Sequence, residues 1–491
     1  MGILVLDVGT SSMRGVLFNE KADLLCQVRS VYQPIFHSSI CVTQDPKIWK
    51  NALFEIVHKV QNWCEMHEET IELISLTAQR TSVIPVDRNG NSIAEAIMWQ
   101  DKRNATLCKN MQIYNGEIIR RSGTMINPVF SGSKMAWIKR EKPELYHQAY
   151  KLLVVADYLF YQMTEQYKTD RTYASRSHLM NLRSGEWDPQ LLRIFQIEES
   201  KLCELINPGE VLGYTTKTFA KATGIKSGIP VYSAGGDQQC AALGMGICEE
   251  GEMEVTSGTG AFMIGMTKKL PPMFLGSPII NYSAVRGTYI VEASILTCSA
   301  AFDWLCQNFY KDYTGNIYHK IDEEVRNSPP GANGCMLLPF FQGRATPLWN
   351  SKATASFTNV TLSTTRGDMA RALLEGIACE IRNNMDIIEG QIGRAKKIWI
   401  GGGLSKSRVF NQIQADIYGR SLFQYSNEES TMLGAWISAM VYSGRIENMK
   451  EAIYLSRAKD SVMKYVPVEE NIEIYTEIRK NMNQLYHKLY I

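Results

Sequence analysis

Two stretches of the chain combine residue types that suit phosphate chemistry. The first, LDVGTSSMRG at residues 6–15, sets an acid, a glycine, three consecutive hydroxyls and an arginine between the apolar runs 3–6 and 15–18. Backbone N–H groups of such a turn point into one concavity and suit phosphate oxygens, with the hydroxyls of Thr10, Ser11 and Ser12 beside them. Arg14 adds positive charge. Asp7 repels a bare phosphate, and its presence makes sense with a hydrated Mg²⁺ lying between the two. An ordinary hairpin turn is the competing reading. The second stretch, SAGGDQQCAALGMG at residues 233–246, follows the apolar-leaning run 229–234 and presents Asp237 on a glycine turn. A carboxylate placed there can approach a substrate hydroxyl and accept its proton. An aspartate that only forms a turn or caps a helix produces the same pattern.

Two further segments are weaker alone. The triple glycine 401–403 stands between an expected strand at 397–400 and a helix carrying Val409, Phe410, Ile413 and Ile417 on one face. It lacks the glycine before Lys406 that a P-loop has, and no G-x-G-x-x-G occurs. It admits close approach of a flat ligand such as adenine, or simply close packing of helix on sheet. Residues 77–104 gather Gln79, Arg80, Trp99, Gln100, Asp101 and Arg103, a set fit to meet the hydroxyls and the apolar face of a polyhydroxy compound. Exposure of those charges to water is the plain alternative. The seven histidines lack metal-ligand spacing, and no G-x-S-x-G elbow is present.

The elements that must position these residues follow from periodicity. The runs 3–6 and 15–18 form a hairpin entered directly from Met1, and MEVTSGTGAFMIGM at 253–266 echoes it about 250 residues later. Two echoes imply two units on one plan, with a boundary near residue 245. Strands are expected at 73–76 and 82–86, an Asn-Gly turn at 87–91, and a helix over 51–64 with Leu53, Ile56, Val57, Val60 and Trp63 on one face. Pro339 and Pro347 mark a loop-rich segment, 369–388 is helical, and the polar stretch from Asn471 is expected to be a closing surface helix.

A chain of 491 residues, 45% hydrophobic, exceeds one core and points to two domains of roughly 200 to 250 residues. Lys plus Arg (52) nearly balance Asp plus Glu (50), so no basic stripe indicates nucleic acid or an anionic membrane. The longest nearly apolar stretch, 432–442, is well short of the ~20 residues of a membrane span. Eleven cysteines without a C-x-x-C pair read as reduced core residues. The expectation is a soluble cytoplasmic protein with a small-molecule partner and no nucleic-acid or membrane partner. A homodimer is left open.

Taken together and in this order, the segments resemble the FGGY family of carbohydrate kinases over residues 1–445. LDVGTSSMRG is similar to its N-terminal phosphate signature, QRTSVIPVD…IAEAIMWQDKR to its substrate segment, and GGDQQCAALG to its catalytic turn. SGTGAF is similar to its second phosphate loop, and RALLEGIACEIR with GGGLSKSRVFNQIQADIYG to its C-terminal signature and adenosine site. The resemblance implies an α/β fold of two actin-like (ribonuclease H-like) ATPase domains with a cleft between them. The units would be 1–245 for sugar, phosphate loop and catalytic Asp, 246–445 for nucleotide, and a helical extension over 446–491.

The implied activity is ATP- and Mg²⁺-dependent transfer of the γ-phosphoryl group to a hydroxyl of a sugar, ketose, polyol or sugar acid. An actin-like ATP-binding switch without a small acceptor is the alternative. Thr10, Ser11, Ser12 and Arg14 would contact phosphates from one side and Gly258, Thr259 and Gly260 from the other. Gly402, Gly403 and Ser407 would lie along the adenosine, near Ser299 and Asp303. Asp237 would be the general base, with Asp7 and Asp237 on the Mg²⁺ through water. Gln79, Arg80, Thr81, Trp99, Asp101, Val129 and Gln238 would meet the acceptor. The chain departs from glycerol kinases at Thr81 and Val129, where those read Glu and Tyr, and from xylulokinases, which read Gln-Met-His at 79–81. NSKATASF at 350–357 replaces an Ala-Arg-Gly pattern.

Overall fold

The apolar run 3–6 has no exposed side chain, the pattern of a strand covered on both faces. It lies in β1 (Gly2–Val8), which turns into antiparallel β2 (Ser12–Phe18) and is followed by β3 (Leu24–Val31). With β4 (Ile71–Ala78), β5 (Val211–Tyr214) and β6 (Pro230–Gly236) these form a six-stranded sheet in the order β5-β6-β4-β1-β2-β3. Strands β1, β4 and β6 run parallel. The computed structural model describes residues 2–346 and 349–491. Met1 of the expected first strand and Pro347 of the expected loop lie outside the described residues.

Helix α1 (Pro46–Met66) covers one face of this sheet with the expected stripe, Leu53, Ile56, Val57 and Val60 buried and Trp63 partly so. It begins earlier than its apolar stripe because Asp45 caps it, accepting from Lys47 N, ahead of Pro46. Helix α2 (Ser131–Glu141) belongs to the insertion between β4 and β5, and α3 (Asp237–Gly244) follows β6 directly.

The second sheet repeats the plan. Strands β7 (Glu252–Ser257) and β8 (Ala261–Thr267) form the expected hairpin, followed by β9 (Ile279–Tyr282), β10 (Tyr289–Ile295), β11 (Lys397–Gly401), β12 (Leu422–Tyr425) and β13 (Val462–Tyr465). The seven strands run β9-β10-β8-β7-β11-β12-β13, and β7 pairs in parallel with β11 as β1 does with β4. Helices α4 (Ser299–Phe309), α5 (Arg366–Ile392) and α6 (Arg408–Tyr418) pack around this sheet. A capping box between Thr365 and Asp368 starts α5.

Helix α7 (Ser430–Tyr442) holds the apolar stretch 432–442. It lies inside the expected second unit but packs on the first sheet, where Leu433, Trp436 and Ile437 share a core with Ile3, Val5 and Val16. Ser75 Oγ donates to Ala435 O at 2.9 Å. The crossing of α7 over α3 is a backbone contact: a Cβ on Gly434 would sit 1.8 Å from Cys240 O, and one on Gly244 1.8 Å from Ser430 O. Among the described residues no helix is long and apolar enough to cross a membrane.

The stretch 446–491 is not purely helical as expected, since β13 within it pairs antiparallel with β12 and edges the second sheet. Helix α8 (Glu469–Tyr490) closes the chain; although polar outside, it buries Tyr475, Met482 and Tyr486. The divergent segment 350–357 is its seat. Asn350 Nδ2 donates to Tyr486 OH at 3.2 Å, and Thr354 N donates to Tyr490 OH at 3.0 Å.

Glu254 on β7 is fully buried, and among the described residues neither carboxylate oxygen has a hydrogen-bond partner. Burial first, and then the nearby Glu292, push its pKa from the ordinary 4.5 to about 8. The folded chain therefore keeps a proton that the unfolded chain loses. The associated stability is present below the ordinary value and is lost as pH rises through about 8. Glu254→Gln is predicted to melt above the parent protein at pH 8 and close to it at pH 5. Melting curves at the two pH values check this, and an equal difference at both refutes it.

Candidate active site

The carboxyl ends of the parallel strands of the first sheet carry the expected acid groups together. Asp7 near the end of β1 stands opposite Thr77 of β4, and Thr77 stands opposite Gly235 of β6. Thr77 Oγ1 donates to Gly235 O at 2.8 Å, and the buried Tyr173 hydroxyl accepts from Ala78 N and donates to Gly235 O. These bonds lock the ends of β4 and β6 side by side. The chain then leaves β4 as Gln79-Arg80-Thr81 and leaves β6 as Asp237, on the rim where ligands of open α/β sheets bind.

Asp237 is the first residue of α3, so its charge sits at the positive end of the helix. Its Oδ1 accepts from Gln238 N at 2.8 Å and pairs with Arg80 Nε at 3.2 Å. Burial raises its pKa against the opposing pull of Arg80. Arg80 also reaches across to the second sheet, where Nη1 meets Glu292 Oε2 of β10 at 3.3 Å. Arg176 Nη1 lies 3.4 Å from the other oxygen of Glu292, with its guanidinium over the Phe130 ring at 4.7 Å. Two buried guanidiniums and two carboxylates thus join the halves of the molecule at the base of the cleft.

The first loop is braced rather than loose. Gly9 N donates to Ser12 O at 2.9 Å, while Gly9 O accepts from Tyr32 OH and from Gln79 Nε2. Trp99 Nε1 donates to Thr10 Oγ1 at 2.9 Å, tying the expected substrate tryptophan to the loop. Ser11 is exposed and Ser12 half-buried. Arg14 is held by carboxylates on both sides, Nη2 by Asp7 at 3.0 Å and Nη1 by Glu429 at 2.8 Å. Burial raises the pKa of Asp7 in spite of Arg14, with Asp237 adding to the rise.

The second loop, Gly258-Thr259-Gly260, lies at the β7–β8 turn against the start of α4. Gly258 O accepts from both the backbone N and the hydroxyl of Ser299, and Thr259 O accepts from Cys298 N at 2.7 Å. Ser299 therefore braces the loop, whereas Asp303 is exposed one turn further along α4. Gly402 has φ +89°, and a Cβ there would lie 2.6 Å from the Ser257 carbonyl. Its packing role is thus explicit, while Gly403 has open space around it. Ser407 caps α6, accepting from Phe410 N, and donates to Asp322 Oδ1 at 2.7 Å.

A cavity of about 840 Å³ opens beside Asp237 and is walled by both halves. Gln79, Arg80, Thr81, Trp99, Val129 and Gln238 line it, as expected. Thr81 is β-branched and buried with φ +73°, a conformation that costs about 1 to 3 kcal/mol. Asp101 is a correction to the expected set, because it does not line this cavity. Its oxygens accept from Val42 N and from the backbone and guanidinium of Arg103, so it is a fully buried organiser of the wall behind. Lys134, also buried, donates to Pro128 O and Val129 O at 2.7 and 2.6 Å and so shapes the wall segment containing Val129. Arg176, Glu292 and Glu429 were missed at the sequence level. They stand on elements without glycine turns, and only the pairing of distant strands brings them to the cleft.

Residues 2–244 match the family model described as FGGY family of carbohydrate kinases, N-terminal domain, and residues 253–443 match its C-terminal domain. Gluconokinase of Bacillus subtilis is 27% identical over 507 aligned positions, spanning 99% of this chain and 96% of its own. Glycerol kinase of Trichlorobacter lovleyi is 30% identical, spanning 98% of this chain and 97% of its own. The solved structure of ligand-bound xylulose kinase from Lactobacillus acidophilus superposes with a TM-score of 0.92 at 22% identity, covering 99% of this chain and 98% of that one. Plasmodium falciparum glycerol kinase with ADP superposes at 0.91 with 25% identity, covering 100% and 98%. The architecture is the two-domain actin-like α/β fold.

Among the described residues Glu292 is the only carboxylate within ion-pair distance of Arg176, and it is shared with Arg80, so its removal strands buried positive charge. Glu292→Ala is predicted to lower unfolding free energy by about 3 kcal/mol or more. Urea titration checks this, and a loss below about 1 kcal/mol contradicts a stabilising bridge.

Proposed function

The chain belongs to the FGGY family of carbohydrate kinases, and from that premise we propose that Asp237 deprotonates the attacking hydroxyl of its acceptor. The enzyme is a phosphotransferase that moves the γ-phosphoryl group of ATP to an alcohol of a small carbohydrate-type substrate. The observation that carries the role of Asp237 is its place: end of β6, head of α3, in the wall of the one cavity that Arg80, Trp99 and Gln238 also line. An ATP-binding switch without an acceptor has no use for a half-buried carboxylate set among such groups.

Phosphoryl transfer depends on in-line positioning and charge neutralisation more than on covalent chemistry. On this reading Thr10, Ser11 and Ser12 receive phosphate oxygens from one side of the cleft and Gly258, Thr259 and Gly260 from the other. Arg14 turns from Glu429 to phosphate. Gly403 leaves backbone open for the adenosine, and Ser299 and Ser407 hold the shape of its site. Gln79, Arg80 and Gln238 orient the acceptor, with Trp99 against its apolar face and Asp237 taking the hydroxyl proton.

Asp7 and Asp237 fit an Mg²⁺ ion. Burial disfavours the negative charge of both carboxyls and so raises them above the ordinary range, a cost that a cation beside them offsets. Mg²⁺ characteristically takes one or two protein carboxylates together with water and phosphate, and Asp7 and Asp237 would be those carboxylates. When bound, it neutralises charge on the phosphoryl oxygens. A cytosolic address accords with eleven free thiols, and a near-balanced charge of +2 supports a small-molecule partner over nucleic acid.

Asp237→Asn is predicted to lower kcat by several orders of magnitude while leaving nucleotide affinity nearly unchanged. Single-turnover transfer and calorimetric ADP binding read the two terms, and retained transfer excludes the base role. Thr81 and Val129 leave glycerol without two contacts, so glycerol is predicted to be a poor acceptor. ADP release across pentuloses, polyols and aldonates checks this, and glycerol ranking first contradicts it.

A further inference from the structure

The acceptor cavity carries one positive charge more than its own residues neutralise. Three cations line it, Arg80, Arg176 and Lys109, against two carboxylates, Asp237 and Glu292. Both carboxylates are committed to the arginines, Asp237 to Arg80 and Glu292 to Arg80 and Arg176 together. Arg176 is still under-matched. Its Nε is buried without a hydrogen-bond partner among the described residues, and burial lowers its pKa to about 10 against the pull of Glu292. Lys109 is exposed and has no carboxylate within ion-pair distance among the described residues.

The hydrogen-bonding capacity left open in the same lining has the matching sign. Apolar side chains alternate there with amides and hydroxyls, and some of the hydroxyls serve the wall itself. Ser277 Oγ accepts from Phe274 N at 3.1 Å, and Thr346 Oγ1 accepts from Ser294 N at 3.1 Å. Asn115 and Asn127 differ. Asn115 Oδ1 accepts from Ile126 N at 2.7 Å and Asn127 Oδ1 from Val129 N at 3.0 Å, so each amide is anchored by its oxygen and keeps its NH₂ to offer. Neither Nδ2 has a partner among the described residues, and both side chains line the cavity. Lys109, Asn115 and Asn127 therefore supply open donors where the positive charge is in excess, and Gln112 adds an amide that can turn either end inward. A hydroxyl, which donates as well as accepts, leaves such a set half used. A carboxylate accepts only, and its charge strengthens each bond.

Resting on the phosphotransfer reading above, we infer that the acceptor is a sugar acid, with one hydroxyl at Asp237 and its carboxylate received by Lys109, Asn115 and Asn127. The cavity of about 840 Å³ holds such an acid together with water, since a chain of five or six carbons fills roughly 150 to 200 Å³ at interior packing density.

The test sets D-gluconate, D-xylonate and D-glycerate each beside its alditol, D-glucitol, xylitol and glycerol, with D-xylulose as a neutral ketose. ADP release gives kcat/KM, and calorimetric titration into the ADP-loaded protein gives binding independently of turnover. A hydrogen bond to a charged group is worth about tenfold or more, so the best acid is expected to exceed its alditol on the order of tenfold in both readouts. That ratio is expected to fall as salt is raised. Lys109→Met removes an exposed charge and is expected to lower the ratio by up to about fivefold. Asn115→Asp keeps the acceptor for Ile126 N and turns the open donor into an anionic oxygen, so it is expected to lower the ratio by about tenfold. Melting curves check that both variants fold. An alditol or xylulose as the best acceptor, or a ratio that Asn115→Asp leaves unchanged, overturns the inference and leaves the kinase reading intact. Tighter binding of the acids that Asn115→Asp abolishes, with no turnover of any compound, supports the carboxylate site and counts against phosphotransfer.

Discussion

The ion cluster in which half-buried Asp237 meets the buried side chains of Arg80, Arg176 and Glu292 is the constraint on which the rest of the cleft depends. Three of its members come from the first half of the chain and Glu292 from the second sheet. Charges this deeply buried are tolerated only when paired, so the two halves are held in a relation that keeps Glu292 over the arginines. The same pairing places Arg80 between two carboxylates and fixes its guanidinium beside Asp237. Glu254, on the same sheet and without a hydrogen-bond partner among the described residues, keeps its proton instead.

Around that cluster the architecture works by repetition. Each sheet begins with a hairpin whose first strand pairs in parallel with a later strand, β1 with β4 and β7 with β11. The turn of each hairpin therefore lies at the carboxyl end of a parallel pair, the side on which ligands of α/β sheets bind. Helices α3 and α7 hold the plan together through a crossing that only glycine permits, since any Cβ would enter a carbonyl oxygen. Loops that face each other across the cleft are thus consequences of strand pairing, while their hydrogen bonds to Tyr32, Gln79 and Ser299 remove slack before any ligand arrives.

Several expectations from sequence match what the fold shows for a common physical reason. The hairpins at 3–18 and 253–266, the helix stripe of α1 and the strand before the triple glycine are local patterns, legible because one element buries one periodic set of side chains. Edges and endings were less legible. Strand β13 is short and partly exposed, and only the open edge of β12 makes it a strand. The segment 350–357 reads as a departure from the family pattern, yet its asparagine and threonine meet tyrosines of α8 far along the chain.

Sequence by itself determined the types and the order of the chemical groups: hydroxyl turns, the glycine-borne Asp237, the balanced charge and the two repeated hairpins. Those depend on residue identity and near neighbours, which a linear string contains. Tertiary structure alone decided which charges meet. It turned Asp101 away from the cavity into contacts with Val42 and Arg103, gave Arg14 to Asp7 and Glu429, and brought Arg176 and Glu292 to the cleft. The partner of a buried charge is set by which strands pair and which faces close, and residues hundreds of positions apart carry no mark of that pairing until the sheets are assembled.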